Sequence, residues 1–133
     1  MKELIIDALT ENLDAVIAFV TEQLEAADCS MKAQMQIEVA VEELFVNIAH
    51  YAYAPNTGSA TIRTEITADT AEITFIDSGV PYDPLAKPDP DVTLSAKERQ
   101  IGGLGIYMVK KSMDDMRYEY REGQNILTIV KKL

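Results

Sequence analysis

Residues 59–68 alternate polar and apolar without a break. Ala60, Ile62, Thr64 and Ile66 fall on one face of an extended chain, and Thr61, Arg63, Glu65 and Thr67 on the other. A strand written this way belongs in a sheet with one face covered and the other in water. The rest of the chain must therefore supply both partner strands and a covering layer. Asp69-Thr70 makes a short turn, and residues 71–77 read as the hairpin partner. Residues 3–9, short and isoleucine-rich, read as a first strand, and residues 118–121 and 126–131 as a last hairpin around Gly123. Helical spacing marks the cover. Leu13, Val16, Ile17, Val20 and Leu24 share one face of a helix over 13–26, with Thr10 or Asn12 as its cap. Ser30 caps a second helix over 31–53, which Pro55, Asn56 and Gly58 end. A third helix opens at Gly102-Gly103-Leu104-Gly105 and runs to Met113. The order β-α-α-β-β-loop-α-β-β predicts an α+β two-layer sandwich, and 133 residues fit one domain over 1–133.

Charge narrows the partners. There are 22 acidic against 12 basic residues, a net charge of −10. A phosphate-backbone binder needs the opposite balance, so nucleic acid and anionic membrane surfaces are disfavoured. The one cysteine, Cys29, forms no internal disulfide and excludes a Cys-based zinc site. The lone His50 argues against a His-rich metal site. No apolar run spans a membrane and the N-terminus lacks a signal-peptide core, so a cytoplasmic protein is expected.

Four segments carry candidate chemistry. On the second helix, Ile37, Ala40, Val41, Leu44, Ile48 and Tyr51 form an apolar stripe, flanked by the polar row Gln36, Glu43, Asn47 and His50. Glu43 and Asn47 are one turn apart and can place a carboxylate and an amide oxygen around a hydrated Mg²⁺; a solvated helix edge has the same pattern. Asp77 shares a strand face with Ile73 and Phe75, so either it points inward and accepts from a ligand amine, with Gly79 allowing close approach, or it caps the Ser78-Gly79 turn. The Gly102–Gly105 cluster at a helix start can cradle an anion through backbone N–H groups, or serve as a tight helix entry. Residues 80–100, with Pro81, Pro84, Pro88 and Pro90, form a loop long enough to be a lid between these two places.

Together these residues resemble a known family. Glu43-Leu44-Phe45-Val46-Asn47-Ile48-Ala49-His50, then Asp77-Ser78-Gly79-Val80-Pro81-Tyr82-Asp83-Pro84, then Gly102-Gly103-Leu104-Gly105-Ile106 are similar to the ATP-binding motifs of the GHKL superfamily. Within it the chain looks most like the stand-alone serine/threonine kinases of the anti-sigma-factor type. The resemblance implies a Bergerat-type sandwich, with a mixed, mostly antiparallel sheet and helices on one face. It implies ATP and Mg²⁺ as cofactors. Asn47 would be the Mg²⁺ ligand, Glu43 the general base and Asp77 the acceptor for the adenine amine, with Gly79 beside the base. Gly103, Leu104 and Gly105 would line the triphosphate, and His50 would lie near the phosphates. The implied protein substrate is a STAS-domain anti-anti-sigma factor; a sigma factor to sequester and a homodimer belong to the same picture. A non-catalytic, ATP-gated binding module is the alternative. Two departures stand out. Val80-Pro81 follows Gly79 where many relatives have a further glycine, and Gln124-Asn125 follows Gly123 where many carry Gly-Thr, so Thr128 is not assigned to adenine.

Overall fold

The computed structural model describes residues 1–86 and 103–133. Among these residues five strands form one sheet: β1 (Lys2–Asp7), β2 (Ser59–Ile66), β3 (Thr70–Asp77), β4 (Asp115–Arg121) and β5 (Gln124–Lys132). Their order is β1-β2-β3-β5-β4. All four ladders are antiparallel, where the resemblance implied a mixed, mostly antiparallel sheet. Among the described residues three helices cover one face: α1 (Leu13–Ala26), α2 (Met31–Asn47) and α3 (Gly103–Ser112).

The alternation of residues 59–68 does what its period requires. Ala60, Ile62 and Thr64 are buried against the helices. Their registered partners Phe75 and Ile73, and then Ile129 on β5, continue the same buried surface. Val16, Val20 and Leu24 of α1 and Ile37, Ala40, Val41, Leu44 and Phe45 of α2 close the core from above. The Thr64 hydroxyl lies deep in this layer and donates to Gln23 Oε1 of α1 at 2.6 Å, so burying it leaves no orphaned donor. On the opposite face Glu3 pairs with Arg63 and Glu72 with Arg117, the wet side the sequence called for. β4 and β5 are longer than residues 118–121 and 126–131 and meet at Glu122-Gly123, both at positive φ as a two-residue hairpin turn requires.

Two helix boundaries differ from the sequence reading. Residues 10–12 form a 3₁₀ turn and neither Thr10 nor Asn12 caps α1 through its side chain; the Asn12 amide donates to Asp7 O instead. Ser30 does cap α2, accepting from Ala33 N at 3.1 Å. The second helix does not stay α-helical to residue 53. It ends at Asn47 and widens into a π turn, Ile48–Ala52. The stripe keeps its side through the change of pitch: Leu44, Ile48 and Tyr51 line one cavity, Leu44 buried and Tyr51 57% exposed.

Candidate nucleotide site

A cavity of about 500 Å³ opens between the end of α2, the start of α3 and the ends of β3, β4 and β5. Its walls are mostly apolar, with Leu44, Ile48, Phe75, Ile106 and Leu127 facing in. Asp77, Asn47, Asn125 and Tyr118 supply its main polar groups. That is the composition of a pocket for a flat, largely apolar ring that must be held in one orientation.

Asp77 lies at the floor. It is only 7% exposed, which follows from period 2 along β3. Both readings of this residue meet here. Its Oδ1 accepts from Gly79 N at 2.9 Å, the turn-capping contact, and from Asn125 Nδ2 at 3.0 Å. Among the described residues no donor reaches Oδ2. A buried carboxylate with an unmatched oxygen facing a cavity calls for a donor from outside the protein. Gly79 has a different reason to be glycine from ligand approach. A Cβ there would meet the Ala52 backbone, and Val80 N donates to Ala52 O at 3.0 Å. The end of the π turn therefore packs where a side chain would stand.

Glu43 and Asn47 lie on consecutive turns of α2, and Asn47 lines the cavity. The Glu43 carboxylate packs against Gly105 in the first turn of α3 and fills the volume a side chain there would need. Burial pushes its carboxyl above the ordinary 4.5, and the neighbouring charge of Glu42 adds to the rise. No donor among the described residues binds it. A partly desolvated, unpartnered carboxylate is fitted to take a proton. α3 begins at Gly103, so the backbone N–H groups of residues 103–105 in its first turn have no partner within the helix, next to Ile106 of the cavity wall. Gly102 and residues 87–100 of the expected lid lie outside the described residues.

The structure thus brings Glu43, Asn47, Asp77, Gly79 and the start of α3 to one region. His50 is not among the residues that line the cavity, though its neighbour Tyr51 is. His50 is exposed in the π turn, edge-on to Tyr51 with ring centroids 5.9 Å apart. Thr128 points to the sheet's other face, where its hydroxyl meets Thr74 Oγ1 at 3.0 Å. The polar residue that meets Asp77 from β5 is Asn125, 6% exposed. The sequence carried one sign of it, the Gln124-Asn125 departure after Gly123.

The donor set fits an adenine nucleotide. The open Asp77 oxygen suits an exocyclic amine, apolar walls suit a purine face, and a glycine-lined helix start suits phosphate. Asn47 offers an amide oxygen, a hard donor of the kind Mg²⁺ takes alongside phosphate oxygens.

Residues 6–131 match the family described as histidine kinase-like ATPase domain. A serine-protein kinase RsbW of Bacillus cereus is 30% identical over 95 residues, 68% of this chain and 59% of that protein. The chain thus matches about three-fifths of the length of that relative. The protein of the same name from Listeria monocytogenes is 28% identical over 106 residues, 76% of this chain and 68% of the relative. The solved Acinetobacter baumannii histidine kinase AdeS superposes with a TM-score of 0.52 at 16% identity, covering 99% of this chain and 68% of that one. That likeness speaks for the fold alone.

Proposed function

The chain belongs to the histidine kinase-like ATPase family, and from that footing we propose that it is an ATP-dependent protein serine/threonine kinase of the anti-sigma-factor type. The observation that carries the proposal is the unmatched Asp77 oxygen in the cavity, which Ile106 of α3 also lines, with the Glu43 carboxylate packed against the neighbouring Gly105. An adenine amine donates to Asp77 Oδ2. The triphosphate lies along the N–H groups of residues 103–105. Mg²⁺, held by Asn47 and phosphate oxygens, would neutralise charge on the transferring group.

Transfer is then a matter of positioning. A serine or threonine hydroxyl of the protein substrate attacks the γ-phosphorus, the bond to the bridging oxygen breaks, and ADP leaves. Glu43 accepts the hydroxyl proton. Among the described residues its carboxylate has no donor, and it packs against the helix start, which favours catalysis over a purely nucleotide-gated binding role. The relatives named serine-protein kinase support the acceptor type. On the same footing the protein substrate is a STAS-domain anti-anti-sigma factor. Sequestration of a sigma factor, a homodimer and a cytoplasmic location complete the proposal; no helix among the described residues is long and apolar enough to cross a membrane.

The test is incubation of the purified protein with labelled Mg-ATP and a STAS-domain protein from a neighbouring gene. Label on a serine or threonine of that partner is the expected result. ATP binding without transfer to any such partner would leave a nucleotide-gated binding module and remove the kinase.

A further inference from the structure

Asn125 is buried at 6% exposure in the wall of the cavity, and every hydrogen-bonding position of its side chain is used. Nδ2 donates to Asp77 Oδ1 at 3.0 Å and to Val80 O at 2.8 Å. Oδ1 accepts from Tyr82 N at 3.0 Å and from the Tyr118 hydroxyl. The partners fix which end of the amide is which. Two acceptors, a carboxylate and a carbonyl, face the NH₂, and a backbone N–H faces the oxygen beside the Tyr118 hydroxyl, so the flipped amide would keep at most the hydroxyl contact and lose the other three bonds. Tyr118 is a dependable donor: burial raises its hydroxyl above the usual tyrosine value, an effect that the Tyr82 N–H opposes and the charges of Asp83 and Asp77 reinforce.

We propose that Asn125 is the positioning residue that sets base selectivity in this cavity, by locking Asp77 so that a single carboxylate oxygen, Oδ2, is presented to the bound base. The inference rests on the adenine-nucleotide reading of the cavity. With Oδ1 held by Asn125 and Gly79 N, the carboxylate cannot rotate to offer an alternative edge. A 6-amino group meets an acceptor, whereas a 6-oxo group meets like against like. The same amide ties Val80 and Tyr82, the chain just beyond β3, to β5, so the floor and the adjoining wall are held by one side chain. A hydroxyl residue would have one rotating donor here. The amide supplies two donors and two acceptor sites in a fixed plane, which is what holding a carboxylate and a passing backbone at once demands.

The test is calorimetry of ATP and GTP on the full chain, as wild type, Asn125→Ala and Asn125→Asp, with melting curves alongside. Wild type is expected to prefer ATP by at least about tenfold. Asn125→Ala should lose most of that preference while remaining folded. Asn125→Asp gives a readout that a merely structural residue would not move. Two carboxylates about 3 Å apart cannot both ionise freely, so the pair's upper apparent pKa is raised. Below it, a protonated Asp replaces the lost donor and ATP binds nearly as in wild type. Above it, affinity relative to wild type falls as pH rises, a ratio from which the nucleotide's own ionisation cancels. Unchanged selectivity in folded Asn125→Ala overturns the proposal. If that variant melts below the assay temperature, the Asn125→Asp profile decides alone, and a flat profile overturns it. Wild type binding neither nucleotide removes the nucleotide reading and this inference with it. Equal binding of both leaves a nucleotide site but ends the selectivity role.

Discussion

Replacing Gly105 with alanine separates positioning from binding. A Cβ at this position would lie 2.0 Å from Glu43 Oε1, against 3.4 Å for ordinary contact, so the carboxylate must retreat by about 1.4 Å. It is the far end of a flexible side chain and can do so without moving α2. Misplacing a reacting group by ~1 Å costs on the order of 10² in rate. Phosphotransfer is therefore expected to fall by at least about that factor. ATP affinity should change little, because the backbone N–H groups of α3 are retained. Stability should move the opposite way: Gly to Ala at an unstrained helical position adds ~0.4–1 kcal/mol by restricting the unfolded chain. Single-turnover transfer to a STAS-domain substrate, ATP calorimetry and thermal melts give the three readouts. The decisive control is the double variant with Glu43→Gln. If Gly105→Ala acts through Glu43, the double variant is no slower than Glu43→Gln alone. Full activity in Gly105→Ala, or additive losses in the double variant, would refute the argument.

Three further outcomes follow from the site. The transfer rate should fall as pH drops through a Glu43 pKa above 4.5, since only the ionised carboxylate accepts a proton, and Glu43→Gln should lose that limb of the profile. The stability sign is the reverse: a folded pKa above the unfolded one stabilises below the unfolded pKa, and this contribution is lost as pH rises through the folded pKa, as acid-range denaturant melts of the two proteins can check. Asn47→Ala should abolish the Mg²⁺-dependent part of ATP affinity while melting within about 0.5 kcal/mol of wild type, because Asn47 lines the cavity and is not part of the core; Mg²⁺-dependent binding as strong as wild type would withdraw the metal role. Gly79→Ala should destabilise by about 1–3 kcal/mol, because the new Cβ meets the Ala52 backbone, which cannot swing aside; an unchanged melt would show that the π turn moves freely.

Much of this molecule is written in its periodicities. Period 2 pointed Asp77 inward before any contact was known, and a helical repeat put Glu43 and Asn47 on one edge of α2. Such patterns fix which face a residue occupies, not what it meets. Asn125 shares a face with Leu127 and Ile129, yet its partner Asp77 is 48 residues away, and only strand register joins them. A change of helical pitch is less legible. A 100° step presumes an unbroken α-helix; the π turn after Asn47 changes the step, yet Ile48 and Tyr51 still line the cavity, and His50 is exposed. The sequence points to Gly79 as room for a ligand; the group the structure packs against it is Ala52's backbone, which depends on where that π turn ends.

The strand order has a kinetic meaning. β2 with β3, and β4 with β5, are each joined by a short turn and can pair locally, on the microsecond scale of hairpins. The β3–β5 ladder joins partners far apart in sequence, and the Asp77–Asn125 rung lies at one end of it. Neither hairpin alone contains a cavity floor. The floor comes into being only when the two halves dock, after the entropy of closing the long intervening segment has been overcome. Refolding followed by recovery of ATP binding should therefore lag behind recovery of strand signal in stopped-flow circular dichroism, and coincident phases would place docking no later than hairpin formation.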